Sequence, residues 1–145
     1  MQPYADKRKN TWGNIMRLSF KIVLMVLSLI PLLFAVKGLT SGAAGNNGGE
    51  EVSAGLDNQY RYFSGYYLSL FFGVWYVLRD IDTRGTVFRF LVLAIFIGGL
   101  GRLISYVQMG TPPIDGMIGM ILELGSPLLV LWHRVIERSA GPVVP

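Results

Sequence analysis

The chain contains no cysteine and one histidine, His133. The first absence excludes disulfides, thiolate zinc sites, thioether haem attachment and cysteine nucleophiles, and the second leaves no histidine cluster for a metal or an acid–base pair. No cofactor or metal is expected. Charge is scarce too: 15% of residues are Asp, Glu, Lys or Arg, well under the roughly 25% usual in soluble domains. What is present is apolar, with 52% hydrophobic residues and a mean hydropathy of +0.46. This composition suits a membrane and not an aqueous globule. The length, 145 residues, gives room for one domain, so residues 1–145 are read as a single membrane domain.

Four apolar stretches have the approximate length that crosses a ~30 Å hydrocarbon core at 1.5 Å per residue. They lie at about 17–36, 56–78, 87–108 and 114–136. Each is apolar on both parities, which fits a spanning helix and not an alternating barrel strand. The first contains Pro31, a helix-disturbing residue. Ala35-Val36-Lys37 is a poor small-residue cleavage site, so the first segment reads as a retained helix and not a signal peptide.

Orientation follows from where Lys and Arg fall. Lys7, Arg8, Lys9, Arg17 and Lys21 lie in the leader, Arg79, Arg84 and Arg89 around the middle linker, and Arg134 and Arg138 in the tail, whereas the other two loops hold only Lys37. The excess predicts both termini and the middle linker in the cytoplasm. Trp12, Trp75 and Trp132 fall at the predicted cytoplasmic ends, and Tyr60, Tyr62, Tyr66, Tyr67 and Tyr106 towards the opposite ends, as interfacial belts. The fold expected is an all-α integral membrane protein, an antiparallel four-helix bundle. Residues 38–55, rich in glycine and without hydrophobic periodicity, read as a flexible loop on the outer side. Thr111-Pro112-Pro113 reads as a tight turn between the third and fourth helices. The basic leader and tail are too short for a nucleic-acid module, and the topology alone accounts for the sequence pI of 9.6. His133, beside Trp132, reads as an interfacial residue.

The informative charges are Arg61, Arg102 and Glu123, because an ionised side chain inside a span costs a few kcal/mol unless it snorkels, pairs or faces a polar cavity. Counted from the outer ends of their helices they lie roughly 6, 9 and 13 Å deep at 1.5 Å per residue. On the third helix Gly98, Arg102 and Ser105 share a face, and on the fourth Gly119, Glu123 and Ser126 repeat that spacing. Packing over the Pro112-Pro113 turn predicts that Arg102 reaches Glu123, with Gly98 and Gly119 allowing close approach. On the second helix Asn58, Arg61, Gly65, Ser69 and Gly73 form a stripe, of which Gly65, Ser69 and Gly73 are a small-residue packing pattern. Two readings of the charges stay open. Either Arg102 and Glu123 lock two helices while Arg61 snorkels, or the two arginines outnumber Glu123 and leave a positive pocket suited to a carboxylate or lipid phosphate. Asp57 or Asp115 at the rim would cancel that excess.

The order Leu56-Asp-Asn-Gln-Tyr-Arg-Tyr-Phe-Ser-Gly65, then Gly101-Arg102-Leu-Ile-Ser105, then Leu122-Glu123-Leu-Gly125, resembles an uncharacterised family of small four-helix bacterial membrane proteins, the domain of unknown function 4345. The similarity spans about residues 55–135. Asn58, Arg61, Gly65, Gly101, Arg102, Ser105 and Glu123 match the family pattern. The resemblance implies a four-span inner-membrane protein and supplies no reaction; the glycine-rich first loop is longer than the connection it implies.

The function expected is therefore non-enzymatic: a multi-pass protein of the bacterial inner membrane that binds an anionic lipid or amphiphile near its periplasmic side and supports envelope integrity. The candidate ligand-binding residues are Asn58, Arg61, Arg102, Ser105 and Glu123. The tail of the amphiphile would lie on Phe63, Tyr66 and Phe72. Membrane lipid is the expected partner, together with further copies of the chain, since glycine-rich faces exceed what one small core needs. Two rivals are a small proton-coupled exporter using Glu123, and a lipid-modifying enzyme using Glu123 with Tyr106 or Ser105.

Overall fold

A computed structural model describes residues 3–47 and 50–139, and every regular element in them is helical. The order is α1 (Pro3–Ser41), a single 3-10 turn (Ala44–Asn46), α2 (Ala54–Arg79), α3 (Gly85–Met109), α4 (Ile114–Gly125) and α5 (Pro127–Ser139). Positions 48 and 49 of the glycine-rich loop and the side chains of Lys7, Arg8 and Lys9 lie outside the described residues.

Three helical stretches are long and apolar enough to cross a membrane, Trp12–Ser41, Gly85–Met109 and Ile114–Arg138. The protein is a membrane protein. Helix α2 has the length, at 26 residues, but its tyrosines and serines make it less apolar than those three. Large apolar side chains such as Leu33, Phe72, Phe90, Val107 and Leu128 are exposed along the helices. In water such surfaces would aggregate; in hydrocarbon they are ordinary.

Two boundaries differ from the sequence reading. Helix α1 passes through Pro31 without interruption and continues to Ser41, so its last turn occupies the start of the expected loop. It stops at Gly42, whose φ of +61° gives the left-handed conformation that ends many helices, with its N–H donating to the Gly38 carbonyl at 3.0 Å. The stretch expected as one helix over 114–136 is broken. Pro127 has no N–H to bond the carbonyl one turn back, and the Ser126 N–H donates to the Glu123 backbone carbonyl at 3.2 Å in a tighter turn. Helices α4 and α5 therefore meet at Ser126.

The described residues divide into two units, one within 21–79 and one formed by 3–20 with 80–139. In the first, α1 and α2 come close at Gly38, where an added Cβ would collide with the Ser64 hydroxyl and come within 2.8 Å of its Cβ. Ser64 returns its hydroxyl to the Tyr60 carbonyl at 2.8 Å. Towards the other end of α2, the Trp75 indole N–H donates to the Ser28 hydroxyl at 3.2 Å, and Ser28 donates to the Met25 carbonyl at 2.7 Å. Leu24, Ala35 and Val77 are buried.

In the second unit α3 packs against α4 and α5. Their ion pairs, Arg102 with Glu123 and Arg89 with Glu137, show α3 running in the opposite direction to α4 and α5. Its core is aromatic. Phe20 packs edge-on against Phe88 and Trp132, with ring centroids 5.6 and 5.3 Å apart. His133 belongs to this core and is not interfacial: it is 1% exposed, between Phe20 and Phe88. Its Nε2 lies 3.1 Å from the Ile81 carbonyl and is the donor of that bond. A buried imidazole needs such a partner, which is supplied by a residue far away in sequence.

Candidate functional site

The Arg102 guanidinium donates from Nε to Glu123 Oε2 at 2.9 Å, with 33% and 17% of the two side chains exposed. This is the contact the residue spacing predicts. Three glycines shape it. A Cβ on Gly119 would lie 3.7 Å from Arg102 Cζ, and one on Gly98 would lie 3.9 Å from Glu123 Oε2. Both glycines therefore face the pair, at ordinary contact distance. The tight approach is at Gly99, where an added Cβ would fall 2.9 Å from Glu123 Cβ and 3.0 Å from the Leu124 amide nitrogen. Backbone cannot move aside as a side-chain tip can, so Gly99 sets the α3–α4 distance, and the sequence reading missed it.

Ser105 lies on the exposed surface of α3, with no hydrogen bond to Arg102 or Glu123 among the described residues. Ser126 is buried, and its hydroxyl has no hydrogen-bond partner among the described residues. It sits at the break between α4 and α5, three residues beyond Glu123.

Arg61 is held differently. Its Nε donates to Asp57 Oδ2 at 2.8 Å, one turn earlier on the same helix, and its Nη1 donates to the Leu39 carbonyl. Asp57 in turn accepts the Ala43 N–H at 2.9 Å. Arg61 thus joins the end of α1 to the start of α2. Asp57 supplies the acid at the rim that offsets the second arginine. Still, 42% of the Arg61 side chain remains exposed.

The remaining α2 residues do not converge on it. Asn58 is exposed. An added Cβ on Gly65 would meet nothing within 4 Å, and Ser69 is exposed with its hydroxyl on the Gly65 carbonyl at 3.1 Å. Among the described residues the close α1–α2 approach is made by Ser64 against Gly38 and not at Gly65. Gly73 is partly exposed. Tyr62 and Tyr66 share a hydroxyl contact of 2.7 Å, and Phe63, Tyr66 and Phe72 are all exposed.

At the other end of the α3–α5 unit stands a second polar group. Arg89 Nη2 donates to both Glu137 oxygens, at 3.0 and 2.9 Å, and His133 Nδ1 lies 3.4 Å from Glu137 Oε1. Gly85 makes room, since a Cβ there would come within 2.8 Å of Glu137 Oε1 and 3.0 Å of His133 Cε1. Arg17 reaches Asp82 at 3.1 Å. In the 80–84 turn, the hydroxyl and N–H of Thr83 bond the Asp80 carboxylate and hold its pKa below the ordinary Asp value. No group of three or more metal-ligating side chains occurs among the described residues.

Fold and site together define a helical membrane protein with charged pairs set among otherwise apolar helices. Residues 19–133 match the model of a protein family described as Domain of unknown function (DUF4345). The chain belongs to that family. Neither a curated protein nor a solved structure matches it.

Proposed function

We propose that this is a non-enzymatic, multi-pass protein of the bacterial inner membrane that binds the anionic head of a lipid or other amphiphile near the periplasmic face and so supports envelope integrity. In this reading α2 is the fourth span, the helices form an antiparallel bundle and both termini are cytoplasmic. The loop between α1 and α2 then faces the periplasm. The uneven distribution of Lys and Arg supports that topology, and the unpacked Gly65 and Ser69 face suits contact with a second copy.

One observation carries the binding reading. Arg61 is oriented at the α1–α2 end by Asp57 and the Leu39 carbonyl while much of its side chain stays exposed. A guanidinium already fixed in place loses little freedom when it takes a phosphate or carboxylate in its planar fork. Because Asp57 offsets its charge, recognition rests on hydrogen-bond geometry more than on net charge. The exposed rings of Phe63, Tyr66 and Phe72 offer an apolar surface for the tail.

The test is the amount of anionic lipid that copurifies per chain in the parent, Arg61→Lys and Arg61→Ala proteins, each checked to be folded. The expected order is parent first, with Lys well below it, because an ammonium cannot reproduce the fork. Unchanged lipid in Arg61→Ala would remove Arg61 from the site.

A second reading, a proton-coupled exporter using Glu123, is favoured by the break at Ser126. Discontinuous helices near an intramembrane acid recur in transporters. Glu123→Gln would then abolish proton-driven uptake in vesicles without unfolding the protein.

A further inference from the structure

At the Arg79 end of α2 there is a groove between α1 and α2, far along both helices from Arg61. It has a volume of about 190 Å³ and is lined by Lys21, Met25, Trp75, Leu78 and Arg79. Lys21 and Met25 are one turn apart on α1, and Trp75, Leu78 and Arg79 are one turn apart on α2, so each helix presents one cation and an apolar neighbour to the same space. Among the described residues neither Lys21 nor Arg79 pairs with a carboxylate. The groove wall is rigid on one side, because the Trp75 indole N–H is committed to the Ser28 hydroxyl, which is itself buried and bonded to the Met25 carbonyl.

From this arrangement we infer that the groove is a second, separate lipid site, which takes the phosphate of an anionic phospholipid between Lys21 and Arg79. The first carbons of the lipid lie along Met25, Leu78 and the Trp75 ring. Two cations without a carboxylate partner among the described residues, lining a groove with apolar neighbours, are complementary to a molecule with a negative head and an apolar body. Free phosphate satisfies the cations but leaves the floor uncovered. A zwitterionic lipid covers the floor but brings a positive group to two positive side chains. The volume is too small for a whole lipid and suits the region where head and chain join. Lys21 and Arg79 belong to the positively charged ends of the spans, and on the proposed topology they face the cytoplasmic leaflet, where anionic lipids attract basic residues.

The test uses the full chain in mild detergent, titrated with phosphatidylglycerol or phosphatidylcholine of identical acyl chains, with bound lipid counted by native mass spectrometry. Arg61→Ala serves as the background so that lipid at Arg61 is not counted. Each neutralised cation, Lys21→Gln or Arg79→Gln, should weaken phosphatidylglycerol binding about fivefold and the pair roughly 30-fold, with phosphatidylcholine unaffected. Equal binding of the two lipids, or an unchanged preference in the double variant, overturns the assignment. Displacement of the lipid by millimolar inorganic phosphate overturns it too, since the groove would then be a phosphate site. Should the double variant fail to fold, a photoreactive phosphatidylglycerol on the parent protein decides. Labelling at Met25, Trp75 or Leu78 supports the site, and labelling only elsewhere refutes it. The Arg61 reading is judged separately, by the lipid that copurifies with the parent, Arg61→Lys and Arg61→Ala proteins, whereas the groove is judged by added lipid in a background where Arg61 is already removed.

Discussion

Two arginines of similar exposure sit in the two units of this chain with different attachments. Arg102 takes its carboxylate, Glu123, from another helix across a glycine-lined contact. Arg61 takes Asp57 from its own helix, one turn away, and adds a backbone carbonyl from the end of α1. A pair that spans two helices is formed only when the helices dock, so its energy belongs to tertiary structure. A pair within one turn survives undocking and orients a side chain instead. On the proposed function, the difference separates a locking arginine from a presenting one, although both are Arg–carboxylate pairs less than 3 Å long.

The largest effect expected from that contrast is at Arg102 and Glu123. Removing either partner leaves a charge in a setting with little water, and Arg102→Ala or Glu123→Ala should each cost about 2–3 kcal/mol, less than for a fully buried pair because Arg102 keeps some exposure. The double change should be milder than the sum by at least about 1 kcal/mol. Thermal unfolding in detergent measures the cycle. Strict additivity would mean that the two side chains do not act as one unit and would remove the contrast with Arg61.

Next in size is a pair of glycines two residues apart on α3. Gly99→Ala forces a Cβ against the Leu124 amide and Glu123, so it should destabilise by about 1–2 kcal/mol. An added Cβ at Gly101 would meet nothing within 4 Å, and Gly101→Ala should be neutral or stabilise by up to about 1 kcal/mol through helix propensity. Opposite signs in the same unfolding assay would tie the locking contact to one face of α3. Equal losses would show instead that any side chain in this stretch disturbs the helix.

These glycines also mark how far the sequence is legible. That Arg102 meets Glu123 follows from their equal distance from the Pro112-Pro113 turn, which fixes the register of the hairpin. Which of Gly98 and Gly99 touches the partner backbone does not follow, since neighbouring residues differ by about 100° around the helix and that rotation is set by packing. The break at Ser126 had a visible cause in Pro127, and the Asp57–Arg61 pair had a visible spacing of four. The burial of His133 had no local sign. It depends on Phe20, Ile81 and Phe88, which come together only when the end of the leader, the middle turn and α3 fold against α5. The membrane character of α1, α3 and the α4–α5 stretch is carried by composition, whereas α2 is diluted by the tyrosines and serines beside its candidate site.

The smallest energetic effect should come from Arg61 and Asp57, and it tests the other half of the contrast. Both side chains are about a third or more exposed, at 42% and 32%, and one turn of helix brings them together whether or not α1 is docked. Their coupling in an Arg61→Ala, Asp57→Ala cycle should therefore be under about 0.5 kcal/mol, several times smaller than for Arg102 and Glu123. Asp57→Asn removes the charge and keeps one of the two acceptor oxygens, so the Ala43 N–H loses its partner if Arg61 keeps its own. The amide keeps a carbonyl to accept the Arg61 Nε–H but loses the negative charge, so if the carboxylate serves to aim the guanidinium, Asn should retain copurified anionic lipid and Ala should lose it. If the carboxylate mainly opposes an incoming anion, both changes should raise the lipid content. A coupling as large as that of the Arg102 pair would make Arg61 a second lock and leave no presenting arginine in the chain.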